Sequence, residues 1–85
     1  MKTHELKCWP LFFAAIEKGH KTFEVRKNDR GFQKGDRLLL AEWLVGTQKF
    51  TGREMLFDVT YVLKGGAFGL EKGYVAMAIK RVEEE

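Results

Sequence analysis

Three ionisable residues that fall within six positions, Lys21, Glu24 and Arg26, are the densest group of chemically capable side chains in the sequence. Glu24 and Arg26 stand two positions apart, so on a strand they share one face and can pair with each other or across a bound ligand. Lys21 can contact a phosphate or, if it is desolvated, act as a nucleophile or base. The ordinary alternative is an ion pair at the surface, which contributes little to stability.

The residues that follow extend this group toward nucleic-acid chemistry. Arg26 and Arg30 carry planar guanidinium groups, which suit paired contacts to a phosphate or to the edge of a guanine. Asn28 and Asp29 can read the hydrogen-bonding edge of a base, or they can bond to their own backbone in a turn. Lys27 adds a further positive charge. We therefore expect an anionic ligand at this stretch.

Aromatic residues elsewhere offer surfaces on which a base can stack. Trp9 and Trp43 are candidates, although a tryptophan in so small a domain more often belongs to the core. Phe68 is the better candidate, because it lies in the glycine-rich loop 64–70, where there is less core to bury it. This loop lacks the strand-then-helix context of a phosphate-binding loop.

The elements that position these side chains follow from local patterns. Residues 4–8 alternate weakly and predict a short strand, and Pro10 then fits the first turn of a helix that Gly19 ends as a left-handed cap. Residues 23–26 alternate between apolar and ionic side chains, as in a strand. The predicted core-facing residues of the helix are Leu11, Phe12, Ala15 and Ile16.

Three further strands are predicted in the second half of the chain. Residues 37–43 contain an unbroken leucine run, typical of a strand buried on both faces. Turn residues at 46–49 and 51–52 mark a hairpin connection to residues 53–63, and residues 74–82 close the chain. The alternation places Met55, Phe57, Val59, Tyr61 and Leu63 on one face of the longest strand, and Val75, Met77 and Ile79 inward on the last.

These patterns predict an α+β fold that is mainly β: a small mixed pseudo-barrel of about five strands with one N-terminal helix packed on it. Residues 1–82 form a single domain, and residues 83–85 are expected to be a frayed acidic tail.

Composition narrows the class of protein. The 85 residues are 45% hydrophobic and carry a formal charge of +3, and residues 18–37 hold seven Lys or Arg against three Asp or Glu. No run of apolar residues is long enough to cross a membrane, and the first residues do not resemble a signal peptide, so we expect a cytoplasmic protein. The single cysteine, Cys8, is interpreted as a small buried residue, and His4 and His20 are too few to predict a metal site. No cofactor is predicted.

The helix followed by Gly19-x-Lys21-x-x-Glu24-x-Arg26, with Gly35-Asp36 opening an apolar strand, resembles the ASCH domain, a branch of the PUA-like barrel superfamily. The run Lys21–Arg30 and the later segments 51–54 and 69–75 are similar to a small group of bacterial and phage ASCH-like proteins. The resemblance implies a cleft beside the helix that binds RNA or modified nucleobases. One enzymatic branch of the ASCH-like domains resembles a deacylase of acetylated cytidine. Members of that branch have a threonine three residues after the motif lysine. This chain has Glu24 there and lacks the C-terminal extension of that branch.

We therefore predict an RNA- or nucleotide-binding module. Lys21, Arg26 and Arg30 would meet phosphate, while Glu24 and Asn28 would recognise the base or orient Arg26. Lysines and arginines nearby would add attraction that weakens as salt rises; they are Lys27, Lys34 and Arg37. The alternatives are a small amidohydrolase that acts on acylated or modified nucleosides with Lys21 and Glu24, and a module that binds an acidic protein.

Overall fold

The computed structural model describes residues 1–83, which fold into five strands and one short helix. The elements are β1 (Thr3–Cys8), α1 (Pro10–Glu17), β2 (Phe23–Lys27), β3 (Arg37–Leu44), β4 (Lys49–Lys64) and β5 (Tyr74–Arg81). The predicted fold class, mainly β with one N-terminal helix, is confirmed. Glu84 and Glu85 of the predicted tail lie outside the described residues, and Glu83 is exposed. No helix within residues 1–83 is long and apolar enough to cross a membrane.

The strands form one curled sheet in the order β1-β3-β4-β5-β2. β1 runs parallel to β3, and the other neighbours are antiparallel. β1 and β2 are therefore the two edges of the half-barrel. The apolar side chains of the sheet, of α1 and of Phe32 in the β2–β3 connection meet in one core: Leu6, Cys8, Phe13, Ile16, Phe32, Leu38, Leu40, Met55, Phe57, Val59, Val75, Met77 and Ile79.

The end of α1 is fixed by a hydrogen-bonded cap that turns the chain toward β2. Gly19 adopts a left-handed φ of 78°. The amide of Gly19 donates to the carbonyl of Ile16 at 3.0 Å, and that of His20 donates to Ala15 at 2.9 Å. These two bonds form a Schellman motif, in which glycine avoids the steric cost of a side chain. The predicted role of Gly19 is confirmed.

The face of α1 that meets the core differs from the predicted one. Phe13 and Ile16 are buried. Leu11 and Phe12 are exposed, so the prediction that Leu11 and Phe12 face the core is wrong. An eight-residue helix has little room for a periodic stripe. Its orientation is set by tertiary packing, here mainly against β3, rather than by its own pattern.

Two register shifts along β4 also depart from simple alternation. The first lies opposite Ala41–Trp43, within the part of β4 that contains Thr51 and Gly52. β4 begins at Lys49, so the prediction that Lys49, Thr51 and Gly52 belong to the turn is wrong. The second lies between Val59 and Tyr61, where the strand gains one residue relative to β5. Such a bulge reverses which side chains face inward.

After the second bulge the inward position passes to Val62, which packs against the core. Tyr61 and Leu63 are exposed on the opposite side of the sheet. The predicted single face that contains Met55, Phe57 and Val59 is confirmed for those three residues and wrong for Tyr61 and Leu63.

A buried polar cluster joins the start of β1 to the turn that precedes β3. His4 Nε2 lies 2.9 Å from Asp36 Oδ2, and the backbone amides of Lys2 and Gln33 donate to Asp36 at 3.1 Å. Burial alone would raise the pKa of the Asp36 carboxyl, but these hydrogen bonds outweigh burial and lower the pKa from its ordinary value. The cluster anchors the N-terminal strand.

Candidate functional site

β2 presents its ionic side to the interior and its apolar side to solvent. Glu24 is 4% exposed, whereas its neighbours Phe23 and Val25 are 49% and 47% exposed. The sequence predicts an amphipathic strand, and apolar side chains usually face inward in such a strand. Here the inner side of β2 borders a cleft rather than the apolar core, so the carboxylate is accommodated by charged partners.

Those partners are Lys21 and Arg26. Lys21 Nζ donates to Glu24 Oε1 at 2.7 Å and to the carbonyl of Phe23 at 2.8 Å. Arg26 Nε donates to Glu24 Oε2 at 2.9 Å. Each carboxylate oxygen thus has its own cation. We call Lys21, Glu24 and Arg26 the ionic cluster.

The ionic cluster lies at the junction of the two sheet edges. Arg26 Nη2 donates to the carbonyl of Lys7 at 2.7 Å, and Arg30 Nη1 donates to the carbonyl of Glu5 at 2.7 Å. Both carbonyls belong to β1. We call this junction the seam: the side chains of Arg26 in β2 and of Arg30 in the segment after β2, rather than backbone amides, reach β1.

A cleft of about 320 Å³ opens beside α1 at the seam. The ionic cluster forms part of its lining, and the other lining residues are apolar except for Lys7: Lys7, Cys8, Trp9, Phe12, Phe23 and Val25. The rings of Trp9 and Phe12 are stacked with centroids 5.9 Å apart. Lys21 Nζ lies 5.5 Å from the ring centre of Phe12 and 5.0 Å from that of Phe23. The cleft therefore combines charged groups with aromatic surfaces.

Cys8 lines the cleft but is a poor nucleophile. Burial, aided by the nearby Glu24 carboxylate, raises the pKa of its thiol to about 11. The thiol is therefore protonated near neutral pH, and the thiolate is the reactive form. Among residues 1–83, no three side chains of His, Cys, Asp or Glu converge in a way that would hold a metal ion.

The other candidate residues lie outside the cleft. Asn28 Oδ1 accepts a hydrogen bond from the Phe32 amide at 2.9 Å, so the side chain closes a turn. Lys27 and Asp29 are exposed near the end of β2. Phe68 is almost fully exposed on its loop and does not line the cleft.

The sequence patterns predict no site role for five residues that line the cleft: Lys7, Cys8, Phe12, Phe23 and Val25. Of these, Phe12 is predicted to lie in the core. The sequence predicts Phe68 as a better stacking surface than Trp9, whereas Trp9 and not Phe68 lines the cleft. Trp9 and Phe12 are three positions apart at the start of a helix, a spacing that brings side chains together and is the signal that could have revealed the pair.

Two comparisons with known proteins bear on identity. Over 61 residues the chain is 41% identical to an uncharacterized 12.9 kDa protein in the GpA 3′ region of Escherichia phage P2. The match covers 72% of this chain and 54% of the phage protein, so the chain spans about half the length of that curated relative. Residues 3–79, from β1 to β5 and including the whole ionic cluster, match the model of a family described as a domain of unknown function. The chain therefore belongs to the DUF3850 family.

Proposed function

We propose that this domain is an ASCH-type, PUA-like module that binds RNA or a nucleotide in the cleft at the seam. The observation that carries the proposal is the placement of the buried Glu24 carboxylate, with a cation on each oxygen, in an open cleft with aromatic walls. A structural ion pair alone needs no cavity beside it. A charged group and flat apolar surfaces in one cleft match the two parts of a nucleotide.

The aromatic walls suit the base. The stacked rings of Trp9 and Phe12 and the half-exposed ring of Phe23 supply flat faces, and stacking contributes about 1–3 kcal/mol per base in single-strand binders. Each oxygen of Glu24 uses one acceptor site for its cation, and a carboxylate oxygen has two. The remaining acceptor sites can receive N–H groups from the edge of a base.

The cations suit the phosphate. Arg26 uses Nε and Nη2 for contacts within the protein, which leaves the Nη1 amino group for a ligand. Lys21 uses two of its three N–H donors. A volume of about 320 Å³ lies near the lower limit for ligand pockets, so the cleft accommodates one nucleotide. Nearby lysines add attraction that weakens with salt.

Calorimetric titration with the four nucleoside 5′-monophosphates and a single-stranded RNA octamer of mixed sequence tests the proposal. We expect binding by the wild type and at least a tenfold loss of affinity in Arg26→Gln. Glu54→Gln, which neutralises an exposed residue of β4, is the matched control and should bind as the wild type does. Absence of binding at millimolar ligand overturns the proposal.

The same samples separate the alternatives. Hydrolysis of an N-acylated cytidine that disappears in Lys21→Ala would identify an enzyme instead of a binding module. A protein partner retained in pull-downs after nuclease treatment, together with no nucleotide binding, would identify a protein-interaction module.

A further inference from the structure

The convex side of the sheet, opposite the core, carries an exposed apolar surface that spans three strands. Strand register places Phe23 of β2 and Tyr61 of β4 on either side of Ala78 of β5. The next row places Val25 and Leu63 on either side of Ala76 in the same way. We call these two rows the outer apolar face; its members are Phe23, Val25, Tyr61, Leu63, Ala76 and Ala78.

The bulge in β4 creates this surface. Without the register shift after Val59, Tyr61 would continue the inward row, but with it Tyr61 is 62% exposed. The Oγ1 of the bulged Thr60 donates to the carbonyl of Ala78 at 3.3 Å, which ties the bulge to β5. Ala76 and Ala78 have short side chains, so the outer surface over β5 is recessed relative to β2 and β4. A planar ring can therefore lie over β5 between Phe23 and Tyr61.

Two lysines flank the outer apolar face along β5. Lys27 pairs in register with Tyr74 at one end, and Lys80 pairs with Asp58 at the other. Asp58 is bonded to Arg37 at 3.0 Å. Within residues 1–83, no carboxylate lies within 4.0 Å of the ammonium group of Lys27 or Lys80. The distance along β5 from Tyr74 to Lys80, six residue steps, is ~20 Å.

A surface with an apolar centre and a lysine at each end is complementary to a polymeric ligand that carries both flat rings and negative charges. A second copy of this domain would bring the lysines of both copies toward the same interface, where like charges repel. Single-stranded nucleic acid meets both requirements, because bases stack on aromatic rings while phosphates attract lysines.

The outer apolar face is also continuous with the cleft. Phe23 and Val25 are shared by the two surfaces. They are lining residues of the cleft, and they are the β2 members of the outer apolar face. A strand of nucleic acid that places one nucleotide in the cleft can therefore continue over β2 toward β5 and β4 without crossing an acidic surface.

We propose that the outer apolar face is a stacking surface for single-stranded nucleic acid, on which Tyr61 and Phe23 receive the bases adjacent to the nucleotide held in the cleft. This inference rests on the proposed function of the cleft. It adds that the physiological ligand is a strand rather than a free mononucleotide. Lys27 and Lys80 contact the phosphates of that strand.

The test compares fluorescein-labelled single-stranded RNA octamers with nucleoside 5′-monophosphates. We expect Tyr61→Ala to weaken octamer binding roughly tenfold and to leave mononucleotide binding unchanged. Tyr61→Phe keeps the ring and should restore octamer affinity. Lys80→Gln should reduce the slope of log affinity against log salt by about 0.7. Val45→Ala, at an exposed residue of the β3–β4 turn, is the control for surface truncation.

The outcomes distinguish this inference from the proposed function. If mononucleotides bind but octamers bind no more tightly and Tyr61→Ala changes nothing, the stacking surface is refuted while the cleft stands. If the wild type forms a dimer in sedimentation velocity that Tyr61→Ala dissociates, with octamer affinity unchanged, the face is a protein interface and the inference is wrong. If neither ligand binds, both proposals fall.

Discussion

Replacing Glu24 with glutamine tests the ionic cluster most directly. The change keeps the size of the side chain but removes the charge that Lys21 and Arg26 share. In the wild type the two carboxylate oxygens accept from these cations at 2.7 and 2.9 Å. Glutamine has one oxygen, so its amide nitrogen must face one of the two cations, a donor against a donor.

The expected cost follows from burial. The Glu24 side chain is 5% exposed, and those of Lys21 and Arg26 are 18% and 27% exposed. Breaking a buried ion pair by removing one partner costs about 3–5 kcal/mol, whereas an exposed pair contributes about 0–1 kcal/mol. Because the two cations keep partial access to water, we expect a loss at the lower end, about 3 kcal/mol of unfolding free energy.

Urea denaturation followed by circular dichroism measures this loss. For a domain of this size, about 3 kcal/mol corresponds to a decrease in Tm of about 12–24 °C. Glu54→Gln is again the matched control and should change stability by less than about 0.5 kcal/mol. The double variant Lys21→Gln with Glu24→Gln should recover part of the loss, because one uncompensated cation is then removed.

A loss below about 1 kcal/mol in Glu24→Gln, with an unchanged denaturant slope, would refute the reasoning. It would mean that the ionic cluster behaves as an ordinary surface ion pair. The Glu24 carboxylate in the cleft would then be solvated rather than desolvated.

Three further predictions concern stability and reactivity. The folded pKa of Asp36 is lowered, so its carboxylate contributes stability that is present above the ordinary Asp pKa and lost as the pH falls through the lower folded pKa. Asp36→Asn should therefore destabilise the protein at neutral pH and reduce the loss of stability as the pH falls below the ordinary Asp pKa, as measured by denaturation at each pH. Cys8, with its pKa raised to about 11, should react with iodoacetamide at pH 7.5 far more slowly in the folded protein than in guanidinium, as followed by mass spectrometry. Gly65→Ala should destabilise the protein by about 1–3 kcal/mol in urea denaturation, because a Cβ there would lie 1.9 Å from a backbone carbonyl oxygen; Gly46→Ala, with open space around it, is the control.

Each of these predictions has a result that contradicts it. An acid transition of the same steepness in Asp36→Asn would show that other groups govern acid unfolding. Equal alkylation rates for Cys8 in folded and unfolded protein would show that the thiol is accessible and ionised. Equal stability of the two glycine variants would show that the loop around Gly65 rearranges at no cost.

Most of the secondary-structure elements could be predicted from the sequence. Period-two alternation located the strands, and Pro10 and Gly19 marked the ends of the helix, because these signals depend on local backbone chemistry. The sequence also brought Glu24 and Arg26 together, since a strand fixes which residues share a side; Lys21 precedes β2, so alternation alone does not place it beside them. These three residues meet in the structure at hydrogen-bonding distance.

The errors arose where tertiary structure overrides a local pattern. The bulge at Thr60 turns Tyr61 outward, and nothing in an alternating sequence marks where an extra residue will be inserted. The inward orientation of Glu24 depends on hydrogen bonds from Lys21 and Arg26 and on the cleft beside these residues. The contact of Arg30 with Glu5 joins residues 25 positions apart, which no motif spacing encodes.

The seam has a mechanical consequence for the barrel. Every other strand junction in the sheet is held by a backbone ladder, which separates only if several hydrogen bonds break together. The junction of β1 and β2 depends on two arginine side chains, each bonded to one carbonyl. Hydrogen bonds from charged groups are worth about 1.5–3 kcal/mol each, and long side chains can lengthen or rotate without unfolding a strand. We therefore expect β1 and β2 to separate more readily than any pair of strands joined by a backbone ladder, while the rest of the sheet keeps its register.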